Sequence, residues 1–204
     1  MVAVVGGTGD FGLALARRLV DAGADVVIGS RDATRAEAAA AEAGASGARN
    51  EDAVKGVDLV VLAVAAEAAL PTASALADAI GETPVLSVAS ELRFTARGVL
   101  PGEDVRSLAE RTQEVLRCPV AAGLHSLAAA TLGRGPAEGD ALVCGDDPEA
   151  KALALDLAQL VVTGRALDAG PLESARALEG LTAVIVNLNK RYKRHAGVQV
   201  TGFR

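Results

Sequence analysis

Three glycines near the amino terminus have the spacing of a dinucleotide-binding loop. Gly7, Gly9 and Gly12 form the pattern G-x-G-x-x-G, in which the glycines allow a tight turn, a close backbone approach to pyrophosphate and close packing of a helix on a strand. The pattern follows an apolar run at residues 2–5 and opens a segment with helical spacing of apolar residues, a context that disfavours a plain glycine turn. The helix N-terminus would offer N–H groups and partial positive charge to phosphates. The predicted coenzyme-binding loop is Gly7, Thr8, Gly9, Asp10, Phe11 and Gly12.

The end of the second predicted strand favours NADP over NAD. NAD sites usually place an acidic residue about 20 residues beyond the glycines. Here the strand ends in Ser30 and Arg31, and Arg35 follows one helical turn later. A hydroxyl and two guanidinium groups suit a 2′-phosphate. Asp32 is the opposing observation, but its position after Arg31 is typical of a helix cap.

His125 is the single candidate for a catalytic residue. It follows the sixth predicted strand, at the expected mouth of the ligand crevice. Two interpretations stay open: the imidazole hydrogen-bonds the acceptor or moves a proton, or backbone groups satisfy it at a junction between lobes. Asp146 and Asp147 precede Pro148 and indicate a helix N-terminus without catalysis.

A basic run ends the last predicted helix. Such a run usually forms a solvated face that complements the helix dipole, although it could also attract an anionic coenzyme tail. Its members are Lys190, Arg191, Lys193, Arg194 and His195.

The chain lacks several sets of catalytic residues. The sequence has no Ser-x-x-x-Tyr-x-x-x-Lys arrangement, no metal-ligand cluster and no nucleophile elbow. Oxidation of an alcohol needs a placed acid or base, whereas hydride exchange between two ring cofactors mainly needs proximity and alignment. The composition therefore fits the second kind of reaction, with no metal.

Strand and helix patterns alternate along the chain, which predicts an α/β fold with a doubly wound parallel sheet. We expect a Rossmann dinucleotide-binding domain at 1–124 and a small C-terminal α/β lobe at 125–204, with a ligand crevice between them. Strands are predicted at 2–5, 25–29, 46–49, 58–64, 84–88, 119–123, 141–144 and 165–168, and the main helices at 11–22, 32–43, 66–80, 104–116, 148–161 and 173–191.

Composition excludes several classes of function. Half of the 204 residues are hydrophobic, yet there are three Phe, one Tyr and no Trp, so the core must be aliphatic. Few aromatic residues and a net charge of −6 argue against nucleic-acid binding. No apolar run is long enough to span a membrane, and no signal peptide is evident. Two distant cysteines indicate a reducing cytoplasm.

Several motifs resemble the NADPH-dependent reductases of the deazaflavin coenzyme F-420 (F420). The resemblance runs nearly end to end and implies an N-terminal Rossmann domain, a small C-terminal domain for the acceptor and dimerisation, and a homodimer. The nicotinamide and deazaflavin rings would stack in the cleft, and hydride would pass directly between them. The motifs are residues 5–12, Gly29-Ser30-Arg31, 143–147, 167–172 and 189–197.

The resemblance also assigns site residues. Thr8, Ser30, Arg31 and Arg35 match positions that hold the NADP phosphates. Val64 and Ala65 follow the fourth strand, where the family carries Ile-Pro and an aromatic residue, and they are assigned to the coenzyme. The segment assigned to the border of the nicotinamide and the deazaflavin is His125, Ser126, Leu127, Ala128 and Ala129.

The departures from the family lie in this acceptor pocket. Besides Val64 and Ala65, the pair Leu127-Ala128 replaces an Ile-Pro-like pair, and the segment at 87–92 lacks expected prolines. Smaller walls could accept deazaflavin or another acceptor, such as a flavin, an imine or a biosynthetic intermediate. A non-catalytic NADP(H)-responsive regulator is the alternative from a different class.

Overall fold

Ten strands and eight helices alternate through residues 1–202, the part of the chain that the computed structural model describes. The strands are β1 (Val2–Val5), β2 (Val26–Ser30), β3 (Ser46–Arg49), β4 (Leu59–Leu62), β5 (Val85–Ser87), β6 (Leu92–Thr95), β7 (Gly98–Pro101), β8 (Val120–Gly123), β9 (Ala141–Gly145) and β10 (Ala166–Asp168). The helices are α1 (Asp10–Asp21), α2 (Ala33–Ala43), α3 (Asn50–Ala53), α4 (Ala66–Ile80), α5 (Leu108–Val115), α6 (Ala129–Leu132), α7 (Pro148–Val161) and α8 (Ala175–Tyr192).

Eight of the strands form one sheet in the order β10-β9-β8-β5-β4-β1-β2-β3. All neighbours are parallel except β8 and β9. The chain winds outward in both directions from β1, which lies between β2 and β4. This confirms the predicted doubly wound Rossmann-type sheet and places the expected ligand crevice at the carboxyl ends of the central strands.

The strands predicted for the C-terminal lobe extend this same sheet. β9 pairs antiparallel with β8, and β10 then pairs parallel with β9. The reversal follows Leu124, which has a positive φ of 65°. The crevice therefore opens along one edge of a continuous sheet, and the division into functional domains at residue 124 stays a prediction.

Two elements were not foreseen from the sequence. β6 and β7 form a separate antiparallel hairpin, whose backbone at Val99 both donates to and accepts from the amide side chain of Asn187 on α8. α6 is a single helical turn. Both depend on contacts with remote parts of the chain, so local periodicity does not reveal them.

The core is aliphatic, as predicted. Alanine, valine and leucine fill both faces of the sheet, and the largest fully buried side chains are mainly leucines. Helix caps fix where the helices begin: Asp32 caps α2, and a capping box of Ser107 and Glu110 starts α5 at Leu108, later than the predicted residue 104. The interpretation of Asp32 as a cap is thus confirmed.

Candidate coenzyme and acceptor sites

The glycine loop brings backbone against backbone between β1 and α1. A Cβ atom on Gly12 would lie 2.5 Å from the Gly6 carbonyl oxygen, and one on Gly7 would lie 2.8 Å from the Ile28 side chain. A Cβ on Gly9 would meet only the Gly6 carbonyl oxygen at 3.5 Å. The positive φ of the turn is at Gly6, one residue before the first glycine of the pattern. Gly7 and Gly12 therefore serve packing, whereas Gly9 is open to a ligand.

A cavity of about 260 Å³ lies at the carboxyl ends of β1, β2 and β4. Seven of the residues predicted to bind the coenzyme line it: Thr8, Gly9, Ser30, Arg31, Arg35, Val64 and Ala65. Four others lie outside its lining, namely Gly7, Asp10, Phe11 and Gly12. Asp10 begins α1, and Phe11 packs against the hydrophobic core. The cavity thus brings together residues from the ends of three strands. The sequence predicted these residues but not their arrangement in space.

Charge at this cavity is positive on one side. Arg31 and Arg35 both line it, and within residues 1–202 neither guanidinium forms an ion pair. The Asp32 carboxylate instead accepts from the backbone N–H groups of Thr34 (2.9 Å) and Arg35 (3.3 Å). An anionic group such as a 2′-phosphate fits this arrangement because the two cations are available and the nearby acid is engaged.

Asn50 lines the same cavity and was missed from the sequence. Its side chain is buried, and its Oδ1 atom has no hydrogen-bond partner among the described residues. A Cβ on Gly29 would lie 2.9 Å from that oxygen, so the glycine leaves room for the amide. The available signal was positional, since β3 pairs with β2 and Asn50 directly follows its last residue.

Three buried polar side chains lie at the neighbouring ends of β5 and β8. Ser87 is the last residue of β5, and His125 and Ser126 follow β8. All three are at most 5% exposed, and both ring nitrogens of His125 and both hydroxyl oxygens lack partners in the described part of the chain. An unsatisfied buried polar group costs about 1–3 kcal/mol. A ligand that supplies the missing hydrogen bonds would remove this cost.

His125 carries a neutral imidazole. Burial lowers its pKa to about 4, and a polar contact with the Ala89 backbone acts in the opposite direction. The Thr182 hydroxyl donates to the His125 carbonyl at 2.9 Å and also lies 2.8 Å from the Ser90 hydroxyl. Helix α8 therefore fixes the backbone of His125, and the ring can offer one hydrogen-bond donor and one acceptor. Both interpretations of His125 stay predictions.

A second cavity, of about 320 Å³, adjoins this cluster. Three residues of the predicted acceptor segment line it: Ser126, Leu127 and Ala128. His125 and Ala129 lie outside its lining, and Ala129 starts α6. The remaining wall comes from the loop before β9 and from residues 195–197 near the carboxyl terminus, which the sequence did not connect with this site.

Glu179 is a buried carboxyl group of α8 that contacts the start of α5. Its Oε1 accepts from the Ala109 N–H at 3.2 Å. Burial raises its pKa to about 7, against the opposing effects of the Leu108 and Ala109 N–H groups and of Arg111 and Arg176. This contact joins the helix that fixes His125 to the helix beside β8.

The acidic pair before α7 and the start of the basic run at the end of α8 lie near helix termini. Asp147 caps α7 through the Ala150 N–H, which confirms the predicted helix N-terminus, whereas Asp146 accepts from the Leu172 N–H. Lys190 and Arg191 lie in the last turn of α8.

Across residues 1–202, no group of three His, Cys, Asp or Glu residues could hold a metal ion, and no helix is long and apolar enough to cross a membrane.

The sheet order, the glycine loop and the basic cavity define a Rossmann-type dinucleotide-binding protein. A family model described as "NADP oxidoreductase coenzyme F420-dependent" matches residues 1–91. The F420-dependent NADP reductase of Methanothermobacter thermautotrophicus is 35% identical, over 98% of this chain and 94% of the relative. The enzyme of that name from Methanocaldococcus jannaschii is 35% identical, over 98% and 97%.

Similarity to a solved structure covers the whole fold. The crystal structure of a putative F420-dependent NADP-reductase from Arthrobacter sp. FB24 superposes with a TM-score of 0.84 at 25% identity, covering 98% of this chain and 99% of that one. This structural similarity and the two relatives matched over nearly their full length identify a particular family within the Rossmann-type proteins. The chain belongs to the family of F420-dependent NADP reductases.

Proposed function

We propose that this protein is an oxidoreductase that transfers hydride between NADP(H) and the deazaflavin coenzyme F-420. The observation that carries the proposal is a pair of cavities on one sheet edge, a basic one suited to NADP and a second one whose lining includes Ser126, a buried hydroxyl without a partner among the described residues. Family membership identifies the second coenzyme. No acid, base or metal beyond these groups is needed, because direct hydride transfer depends on alignment.

The cavity at the ends of β1, β2 and β4 would bind NADP(H) through backbone N–H groups and through charged side chains. The N–H groups at the start of α1 and the open backbone at Gly9 would hold the pyrophosphate. Ser30, Arg31 and Arg35 would hold the 2′-phosphate, and Thr8 would contact the neighbouring phosphate. Val64 and Ala65 form a small apolar wall at the end of β4.

The acceptor half would orient the nicotinamide and deazaflavin rings against each other. When both coenzymes are bound, the reduced nicotinamide supplies hydride to the deazaflavin, with one proton taken up from solvent. Ser87, His125 and Ser126 would hydrogen-bond ring substituents, since their polar atoms have no partners among the described residues. His125 positions a ligand as a neutral donor and acceptor and does not act as an acid at neutral pH. Leu127 and Ala128 form the facing wall.

An absorbance assay with NADPH and oxidised coenzyme F-420 tests this proposal. We expect the deazaflavin band to bleach at a rate proportional to enzyme, and NADH to support a much lower rate. NADPH binding measured by fluorescence, with no bleaching, would refute the acceptor assignment. Parallel assays with a free flavin and a cyclic imine then decide whether the small walls at Val64 and Leu127 admit another acceptor.

We further propose a homodimer, with residues 125–204 contributing to both the acceptor site and the interface. Large apolar side chains are exposed together on the β6–β7 hairpin and on one face of α8, namely Phe94, Val184, Leu188 and Tyr192. Exposed apolar patches of this kind mark protein interfaces. Sedimentation of the parent and of Leu188→Asp tests this, and an unchanged mass between the two would refute the interface.

We also place the protein in the cytoplasm. Cys118 and Cys144 are free thiols in the core, where burial raises their pKa values to about 11 and about 12. Thiols in this state are compatible with a reducing compartment. Fractionation of cells that express the protein, with activity as the readout, tests this location.

A further inference from the structure

The carboxyl-terminal segment, residues 195–200, lies along the loop that precedes β9. α8 ends at Tyr192, and beyond it the segment has no regular secondary structure. His195, Ala196 and Gly197 nevertheless line the acceptor cavity, together with Ser126 and Leu127. A chain segment that forms no helix or strand loses conformational entropy when it is ordered, so contacts with other elements must hold it in one position.

Asp140 supplies those contacts from the start of β9. Its side chain is 3% exposed. Its Oδ2 atom accepts from the Val200 N–H at 2.8 Å and from the Arg165 guanidinium at 3.0 Å, and its Oδ1 atom accepts from the Arg165 N–H at 2.8 Å. The Arg165 guanidinium also donates to the Val200 carbonyl, and the Asp140 N–H donates to the Val198 carbonyl. One buried carboxylate thus joins β9, the loop before β10 and the segment.

Glycines make this contact close enough to be specific. A Cβ on Gly197 would lie 2.6 Å from the Glu138 carbonyl oxygen, and a Cβ on Gly139 would overlap the Val198 carbonyl oxygen. Gly139 has a φ of 101°, which side chains rarely adopt. Closer to the helix, Asn189 accepts from the Ala196 N–H at 2.6 Å. The segment is therefore held at both ends and in a defined register.

We propose that Asp140 is a positioning residue for the acceptor, because with Arg165 it holds the carboxyl-terminal segment in place as a wall of the acceptor cavity. This inference rests on the proposed function in placing the acceptor there. The pKa of Asp140 is lowered to about 2, chiefly by its hydrogen bond with Arg165. The carboxylate is thus ionised throughout the neutral range, and the segment is held independently of pH there.

Val200→Pro tests the contact without altering the core. Proline removes the N–H that donates to Asp140, at a position outside every helix and strand. Thr201→Pro is the matched control, since it places the same residue next in the chain. For Val200→Pro we expect about a tenfold rise in KM for coenzyme F-420, with kcat and the Kd for NADPH within about twofold of the parent. Thr201→Pro should leave all three unchanged.

Hydrogen exchange of the backbone amides at 195–201 gives a second readout that does not depend on turnover. We expect faster exchange in Val200→Pro and in Asp140→Asn, with circular dichroism of both unchanged. Unaltered exchange would show that Asp140 does not hold the segment. Faster exchange with an unchanged KM for coenzyme F-420 would show that the segment is not a wall of the acceptor site. Absence of turnover in the parent would refute the proposed function alone, since exchange still tests the contact.

Discussion

The coenzyme cavity and the acceptor cavity share one sheet edge but are built differently. The first takes its polar lining from residues 6–50 and the start of α4, so most of it is local in the chain. The second combines the residues that follow β8 with the loop before β9 and with residues 195–197 near the carboxyl terminus. Local motifs therefore define the coenzyme site, whereas tertiary packing defines the acceptor site.

The two regions also differ in how they would bind. Arg31 and Arg35 are exposed, and they would attract phosphate through charge that solvent screens in part. Ser87, His125 and Ser126 are buried and uncharged, with unpaired polar atoms. Substitutions should therefore act on affinity in the first region, and on stability together with acceptor binding in the second.

The largest expected effect is a loss of unfolding free energy when low pH protonates His125. Its pKa is about 4 in the folded protein and about 6.5 in the unfolded chain, so the unfolded chain binds an additional proton between these pH values. The stability contributed by this group is complete above pH 6.5 and falls by about 3 kcal/mol as pH drops to 4. His125→Asn should remove this contribution, so that between pH 6.5 and 4 the variant should gain about 3 kcal/mol of unfolding free energy relative to the parent, as measured by denaturant unfolding at a series of pH values. A difference in unfolding free energy between parent and variant that does not change with pH would contradict the burial of a neutral ring.

The contribution of Glu179 to the unfolding free energy should change with pH in the opposite direction. Its pKa rises from 4.5 to about 7 on folding, so the stability that it contributes below pH 4.5 is lost as pH rises to 7, by about 2–3 kcal/mol. The parent curve should be nearly flat where the two windows overlap. Glu179→Gln should be more stable than the parent above pH 7, and its unfolding midpoint in urea measures this. A destabilised variant at pH 8 would contradict the prediction.

Two glycine substitutions separate fold from binding in the coenzyme region. Gly12→Ala places a Cβ against the Gly6 carbonyl, and overpacking of this kind costs about 2 kcal/mol. We expect weaker NADPH binding and a lower unfolding free energy. Gly9→Ala has only an ordinary contact at 3.5 Å, so it should weaken binding and leave unfolding unchanged. Calorimetric titration and urea unfolding measure the two effects, and similar unfolding losses in both variants would count against the packing argument.

Arg31→Glu tests the preference for NADP. Loss of a charged hydrogen bond to the 2′-phosphate should weaken NADPH binding by about 1–3 kcal/mol while NADH binding stays the same or improves. Fluorescence titration with both nucleotides measures the change in preference. Arg97→Glu makes the same charge change in the β6–β7 hairpin and should have no effect. An unchanged ratio of the affinities for NADPH and NADH in Arg31→Glu would refute the assignment of the end of β2 to the 2′-phosphate.

The smallest effect should come from Asn50→Ala. Its unpaired Oδ1 needs a hydrogen-bond donor, and on the adenosine half of NADPH the donors are a ribose hydroxyl and the adenine amino group. Loss of one such bond should weaken NADPH binding by about 1 kcal/mol, with the KM for coenzyme F-420 unchanged. A titration that gives the parent Kd would place Asn50 outside the binding site.

The sequence was sufficient for the regular part of this molecule. Apolar runs such as Val2–Val5 predict the parallel strands, and the glycine spacing predicts the loop, because both are properties of neighbouring residues. The hairpin held by Asn187, the pairing of β8 with β9 and the wall at 195–197 depend on residues distant in the chain. The unpaired state of Asn50 and His125 could not be predicted either, since it arises from burial in three dimensions.

The aliphatic core gives the protein an unusual optical property. With no tryptophan, and with a single tyrosine, Tyr192, 64% exposed at the end of α8, the folded chain contributes almost no intrinsic fluorescence of its own. The folded chain therefore has no tryptophan emission that could transfer energy to bound NADPH, and binding is followed through the coenzyme's own emission. Unfolding, by the same reasoning, has to be followed by circular dichroism, because no buried indole reports it.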